Sequence, residues 1–428
     1  IYTGLQDNGI NVGPSDFRFG SRTYIWKMIL GGDGAFVVPD RSDPDTVYAE
    51  YQFGNIFRIH LTDSKKRKYI KPKPDKKGEV YRFNWLSPFM ISHHNPFILY
   101  IGGNKMLKSM NRGDSWFEFS PDLSDQKNID GDVPYATITA LDESRFSPRI
   151  LYAGTDDGNA WVTLDGGTNW RKIINGLPKK WVTRIIASKF KRTRVYLAMT
   201  GYREDDFKTY LFRSEDHGEN WTSIRGNLPE ESVNVIREDP VNENILYLGT
   251  ELSVFVSLNR GEHWFSLRGN LPTNAVYDLK VHPRERELVI GTHGRGVFIT
   301  SVRHIQELSR EIMDKAVHLF DQKTIRLPRS RYQRFERQSF AFYQKEDGEL
   351  EIAVYPENQR KAVFKLKKYF GRGLGAFQWD MRVQTVLKTV QKDKKMIRTK
   401  GNSYTKRGKY VIRMKKGKAI EKKVFSVQ

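Results

Sequence analysis

The sequence contains no cysteine. That excludes disulfides, thiolate metal sites and cysteine nucleophiles. It leaves the compartment open, because a chain with a large core needs no covalent staples. No stretch approaches the roughly 18 apolar residues of a membrane-crossing helix. No secretory signal pattern is visible either. The chain opens on Ile1-Tyr2-Thr3-Gly4-Leu5 without an initiator Met. It reads as a strand from its first residue, as expected for a processed or truncated piece of a longer precursor.

Acidic residues are also in short supply, with 50 Asp and Glu against 72 Lys and Arg in 428 residues. Taken whole, the net charge of +22 suggests a polyanion as partner. Counted by segment, it does not. Residues 1–300 carry 40 basic and 37 acidic side chains, residues 301–360 carry 11 and 10, and residues 361–428 carry 21 and 3. The excess belongs to the last 68 residues, so the long N-terminal part is not expected to seek a polyanion. Hydrophobic residues at 38% and aromatics at 13% make a globular composition, long enough for two domains or one large repeat fold.

What is present is a repeat. Ser109–Trp116, Thr163–Trp170, Ser214–Trp221 and Ser257–Trp264 all read Ser/Thr-x-Asp/Asn-x-Gly-x-x-Trp, with tryptophans 54, 51 and 43 residues apart. Their fixed positions are Asn111 and Trp116, Asp165 and Trp170, Asp216 and Trp221, and Asn259 and Trp264. An Asp or Asn two residues before Gly suits a hairpin turn, because the short side chain bonds nearby N–H groups and Gly accepts positive φ. The Trp then opens the next strand and is expected to fold back between repeats. Before each box lies an alternating run such as Ile150-Leu-Tyr-Ala-Gly-Thr, and Gly-Leu-Pro or Asn-Leu-Pro follows at Gly176, Asn227 and Asn270. Short strands at even spacing with Gly and Asp/Asn turns are the signature of propeller blades. Residues 31–71 add a blade without a box, and 1–30 and 275–301 add about three strands each. The expectation is a β-propeller of about seven blades over 1–302. Its first blade lacks an opening strand, which upstream sequence or the C-terminal partial blade would supply.

Beyond the ring, Ile305, Leu308 and Ile312 stand at helical spacing, and residues 303–338 read as a helical and basic linker. Five short alternating runs over 339–428 predict a small basic β-sandwich.

The whole resembles the sortilin-like, bacterial neuraminidase-repeat (Asp-box) propeller proteins. The matching segments are Gly4-Leu-Gln-Asp-Asn-Gly9, Gly31-Gly-Asp-Gly34, Phe83-Asn-Trp85, Gly102-Gly-Asn104 and Gly291-Thr-His-Gly-Arg-Gly296. Gln378-Trp-Asp-Met-Arg382 and Gly408-Lys-Tyr410 look like the immunoglobulin-like domain that often ends such chains. The resemblance implies a bacterial secreted or cell-envelope protein (periplasm, outer membrane or cell surface) with its boxes on the outer rim. It leaves function open, since such propellers include sialidases, xyloglucanases and peptide receptors.

Candidate chemistry follows. A glycoside hydrolase needs two carboxylates, and Asp7 and Asp33, each in a Gly-flanked turn at a strand end, are the best pair; both also read simply as turn residues. His293 and Arg295 share a two-glycine turn suited to an anion. Asn8, Asn104 and Trp85 are further candidate ligand contacts, Trp85 as a stacking surface or as packing between blades. His93-His94 lacks a third ligand and its two side chains point to opposite faces of a strand, so no metal and no cofactor is expected. Lys392, Lys394, Lys395, Arg398, Lys400, Lys406, Arg407, Lys415 and Lys416 read either as the wet face of the sandwich or as a docking patch. Its target would be an anionic envelope surface, lipopolysaccharide or lipid head groups, or an acidic protein. The basic tail lacks nucleic-acid motifs. The preferred expectation is a non-catalytic binding or scaffold module whose propeller face engages protein or glycan. A polysaccharide hydrolase is the alternative.

Overall fold

Period-2 runs closed by Gly-centred turns dictate antiparallel meanders, and the chain folds as a succession of them. The computed structural model describes residues 1–15, 26–75, 78–125, 134–267, 269, 271–327, 337–383, 389–392, 395–398 and 405–428, with 389–398 by backbone only. Two compact units are present, Ile1–Ser301 and Val302–Gln428.

The first unit is a β-propeller of seven sheets. Among the described residues five have four strands, blades two (34–69), three (89–118), four (138–172), five (181–223) and six (233–266), and two, blade one (Tyr2–Leu5, Gly9–Val12, Lys27–Leu30) and blade seven (Val276–His282, Glu287–Thr292, Val297–Ser301), have three. Within every sheet the strands neighbour one another in chain order. In blade one the strand Tyr2–Leu5 is half-buried to exposed, whereas the second strands of three later blades, Leu99–Gly102, Leu151–Thr155 and Leu246–Thr250, are buried throughout. The opening strands of blades four to seven carry a bulge at one recurring place, Ile138/Ala140, Val182/Arg184, Val233/Val235 and Val276/Asp278. Repetition of an extra residue at one site marks a repeated unit and bends each strand alike.

The boxes join one blade to the preceding one. In each, the Ser or Thr hydroxyl donates to the Asp or Asn side chain and accepts the N–H of the box glycine (Gly113, Gly167, Gly218, Gly261) at 2.8–2.9 Å. The indole N–H of Trp116, Trp170, Trp221 and Trp264 then donates to the carbonyl of Ile70, Phe119, Ile173 and Ile224 respectively. Those same four residues pack against the box glycine. At Gly261 (φ +93°) an added Cβ would lie 2.8 Å from Ile224 Cβ. One glycine thus answers two demands, a left-handed turn and a close approach between blades.

Buried carboxylates join the blades at the same end. Glu143 of blade four accepts the hydroxyls of Ser92 and Tyr100 from blade three. Glu238 of blade six likewise takes Ser188, Tyr196 and the Lys189 N–H from blade five. The tyrosines belong to a repeated ladder, Tyr48, Tyr100, Tyr152, Tyr196 and Tyr247, all fully buried.

The second unit is a β-sandwich. One sheet comprises Val317–Leu319, Gln338–Gln344 and Gly373–Trp379; the other places Gly348–Pro356 and Gly408–Lys416 between Phe364–Phe370 and Ala419–Val427. A single core holds Phe340, Phe342, Phe377, Trp379, Ile412 and Phe425. Residues 303–338, read from the sequence as a linker, supply two short helices (Arg303–Glu307, Arg310–Asp314) and a sheet strand. Val317, Leu319 and Ile325 lie in that core, and Ile325 bridges Val427. Alternating apolar residues, not helical spacing alone, decide that segment's place.

Candidate binding face

In a four-stranded meander the turn between second and third strands lies at the same end as the entry to the first. Each blade therefore brings these two segments to one face of the propeller, opposite the boxes. On blade four this turn is Asp156-Asp157-Gly158, with Gly158 at φ +81°. Asp156 is buried, and its oxygens accept the Thr137 N–H (2.8 Å), the Thr137 hydroxyl (2.6 Å) and the Asn84 amide (2.9 Å). Burial dominates these bonds and raises its carboxyl to about 6, with neighbouring Asp157 adding to the rise.

Asp156 forms part of the floor of a cavity of about 190 Å³, walled by Tyr135, Trp181, Thr200, Arg203 and Glu204. Tyr135 and Trp181 have ring centroids 6.5 Å apart, and the Arg203 guanidinium lies 4.1 Å from the indole centroid. Lys180 holds Glu204 (2.6 Å) and Asp206 (3.0 Å) beside it. Further aromatic pairs stand on blades five and seven. Tyr202 meets Phe207 edge-on at 5.8 Å, and Tyr277 tilts against His293 at 5.5 Å. Tyr202, Phe207 and Tyr277 are 49%, 51% and 44% exposed. Rings with open faces and polar edges suit a ligand that is itself part apolar, part hydroxylated.

The residues singled out from sequence divide. His293 and Arg295 are exposed on this face, in a turn closed by the Thr292 hydroxyl donating to the Gly296 carbonyl at 2.7 Å. Asp7 and Asp33 do meet, but the Asp33 carboxylate accepts the Asp7 backbone N–H at 3.0 Å, holding a turn in which Asp7 takes φ +62°. Asn8 is exposed and its amide donates to the Gln6 carbonyl of the same turn. Trp85 packs edge-on against Phe53 at 5.1 Å, half-buried. Asn104 requires correction as a ligand contact: it is buried, its oxygen accepts the Arg82 N–H and its amide donates to Asp122. That pairing leaves Asn104 as a turn brace.

On the second unit, Lys406 and Arg407 are exposed, whereas Lys415 faces Glu351 at 3.6 Å and Lys416 donates to the Glu346 carbonyl. Lys392, Lys394, Lys395, Arg398 and Lys400 have side chains outside the described residues. Asp43, Asp45 and His60 bring ligand-type atoms within 4.8 Å of one another. Two of the three are engaged locally: the Asp43 carboxylate accepts the Thr46 hydroxyl and the Asp45 N–H, and His60 Nδ1 accepts the Asp63 N–H. Sequence reasoning missed Tyr135, Trp181, Tyr202, Arg203 and Tyr277. Aromatics at the starts of strands or in turns were the available signal, hidden because core strands are equally aromatic.

Comparison with known proteins fixes the family. The Sortilin-Vps10 profile (sortilin, neurotensin receptor 3) matches residues 209–424, half of the chain. The chain belongs to the Sortilin-Vps10 family. No curated protein matches this Sortilin-Vps10 chain in sequence. Among solved structures, it is similar to a GH74 enzyme from Niastella koreensis, with 15% identity over 80% of this chain and 55% of that one and a TM-score of 0.51. It is also similar to the extracellular domain of the hybrid two component system BT3049 from B. thetaiotaomicron, with 11% identity over 100% and 53% and a TM-score of 0.51. The chain spans about half the length of both, and at these identities the likeness is one of fold. Among the described residues no helix is long and apolar enough to cross a membrane.

Proposed function

We propose that this protein is a non-catalytic binding module of a bacterial secreted or cell-envelope assembly. In this reading the propeller face carrying the second-to-third-strand turns engages protein or glycan. The observation that carries it is the cavity beside Trp181, flanked by the exposed rings of Tyr202, Phe207 and Tyr277. At about 190 Å³ the cavity is below the roughly 300 Å³ of most small-molecule sites. Its scale suits one ring of a longer ligand, and the exposed aromatics offer stacking surfaces beyond it, which favours a glycan. In the hydrolase alternative Asp7 and Asp33 would flank a sugar, but Asp33 already braces the Asp7 turn. In the same proposal exposed Lys406 and Arg407 help the second unit dock on an anionic surface, with lipopolysaccharide, lipid head groups or an acidic protein as targets.

Affinity electrophoresis through gels containing neutral soluble polysaccharides tests the face. Retardation of the wild type by at least one polysaccharide, lost in Tyr202→Ala/Tyr277→Ala, is the expected result. Retardation unchanged in that variant overturns the assignment of the face.

A further inference from the structure

Net neutrality of the propeller conceals one strong local field. Blade two has no box. Where blade three places Asn111-Arg-Gly-Asp-Ser-Trp116, blade two runs Thr62-Asp-Ser-Lys-Lys-Arg-Lys68. A single helical turn, Ser64–Lys66, is capped by the Asp63 carboxylate, which accepts the Lys65 N–H at 3.1 Å. Arg67 precedes the fourth strand as Trp116 does in blade three, and its guanidinium lies 4.7 Å from the Phe57 ring centroid.

Between this turn and the blade-three box lies a groove of about 740 Å³, at the end of the propeller opposite the aromatic face. Six cations line it, Arg58, Lys65, Lys66, Arg67, Lys68 and Arg112, against two carboxylates, Asp43 and Asp114. Asp114 is shared by Arg58 (3.1 Å) and Lys68 (2.7 Å), and Arg112 reaches Asp40 at 3.5 Å. Lys66 reaches Asp63 at 3.8 Å with its side chain 65% exposed, and among the described residues no carboxylate pairs with Lys65 or Arg67. The groove therefore carries surplus positive charge, focused by concave walls. Two of its guanidinium groups lie over aromatic rings, Arg67 over Phe57 at 4.7 Å and Arg112 over Phe97 at 4.6 Å from the ring centroid. A guanidinium that rests on a ring is suited to bidentate contact with a carboxylate or sulfate.

We propose that this groove binds an anionic polysaccharide, its carboxylate or sulfate groups contacting Arg67, Arg112 and the Lys65-Lys66 turn. A membrane surface is flat and would touch only the rim of a groove. A single-stranded nucleic acid stacks successive bases on a series of open aromatic faces, and among the groove's lining residues only Phe97, 49% exposed, offers one. The site is separate from the aromatic face and stands or falls independently of it.

Calorimetric titration of the full chain at low salt with polygalacturonate, heparin, neutral dextran and oligo-dT tests this. Lys65→Glu/Lys66→Glu alters a turn with no buried residue, and Lys65→Gln/Lys66→Gln is the milder companion should the reversal disturb folding. The expected results are binding of polygalacturonate or heparin that weakens as salt rises, a loss of about tenfold or more in the Glu variant, and a smaller loss in the Gln variant. Wild-type affinity in both lysine variants overturns the proposal. So does binding of dextran that the lysine variants lose in equal measure, which removes the charge requirement, or equal binding of oligo-dT at matched charge, which removes the polysaccharide.

Discussion

If each box is the fastener between its blade and the one before, its worth depends on how dry the joint is. Trp264 is the driest case, 2% exposed, with its indole N–H 2.9 Å from the Ile224 carbonyl and its backbone N–H bonded to Asn227. Trp264→Phe keeps a ring in place but leaves that carbonyl without its donor and opens a small void. An unpaired buried acceptor costs about 1–3 kcal/mol, and the lost ring atoms add roughly 1 kcal/mol, giving about 2–4 kcal/mol together. Trp221 makes the same bond to Ile173 at 2.8 Å but is only half-buried. Water can replace its donor, so Trp221→Phe should cost about 0.5–1.5 kcal/mol. Gly261→Ala attacks the joint from the other side, adding a Cβ 2.8 Å from Ile224 at φ +93°. Left-handed strain of about 1–2 kcal/mol then combines with a clash against a buried side chain. Scanning calorimetry of the full-length variants reads these as downward shifts of the propeller transition. The order Gly261→Ala and Trp264→Phe well above Trp221→Phe is predicted. Equal shifts for the two tryptophans, or a neutral Gly261→Ala, would refute the view that the boxes hold blade to blade.

Other consequences follow from buried charge. Burial raises Asp156 to about 6 from an ordinary 3.8, so the folded state keeps a proton that the unfolded chain has lost between those values. Its contribution to stability is therefore greatest below about pH 4 and falls as pH rises through 6, by up to about 3 kcal/mol. Asp156→Asn should remove that part of the pH 4–7 slope, read from the difference between wild-type and variant melting curves; parallel curves contradict it. Glu238→Ala leaves Ser188, Lys189 and Tyr196 donors unpaired and should destabilise by about 3 kcal/mol or more, measured by urea unfolding, with a loss below 1 kcal/mol as the contrary result. Lys406→Glu/Arg407→Glu should lower co-sedimentation with vesicles bearing anionic head groups, and the wild-type binding should fade with salt; equal sedimentation of variant and wild type removes that docking role.

The propeller was legible because its repeat is local. A Ser/Thr, an Asp/Asn, a Gly and a Trp at fixed offsets encode a turn and its anchor, so four boxes and the alternating runs between them locate blades without tertiary information. The sandwich was legible as strands, but the helical spacing of Ile305, Leu308 and Ile312 masked the pairing of Val317–Leu319 with Gln338–Gln344, which joins distant segments. The binding face was hardly legible at all. Trp181 opens a core strand and Tyr202 sits in a turn, and nothing local distinguishes a ring facing water from the buried Tyr196 nearby. Asn104 shows the converse: a Gly-Gly-Asn turn resembles a ligand loop until Arg82 and Asp122, 22 and 18 residues away, take up its amide. Averaging charge over 300 residues likewise concealed the Lys65–Lys68 turn, whose significance depends on Arg112 lying across the groove.

The central claim is that the face beside Trp181 binds a glycan and leaves it intact. Isothermal titration of wild type and Trp181→Ala with the oligosaccharide of whichever polysaccharide retards the protein, followed by chromatography of the recovered sugar, tests both halves together. Binding by the wild type, at least tenfold weaker in Trp181→Ala, with the sugar recovered at its original length, is the predicted result. Equal affinity in the two proteins, or shortened products, would contradict it.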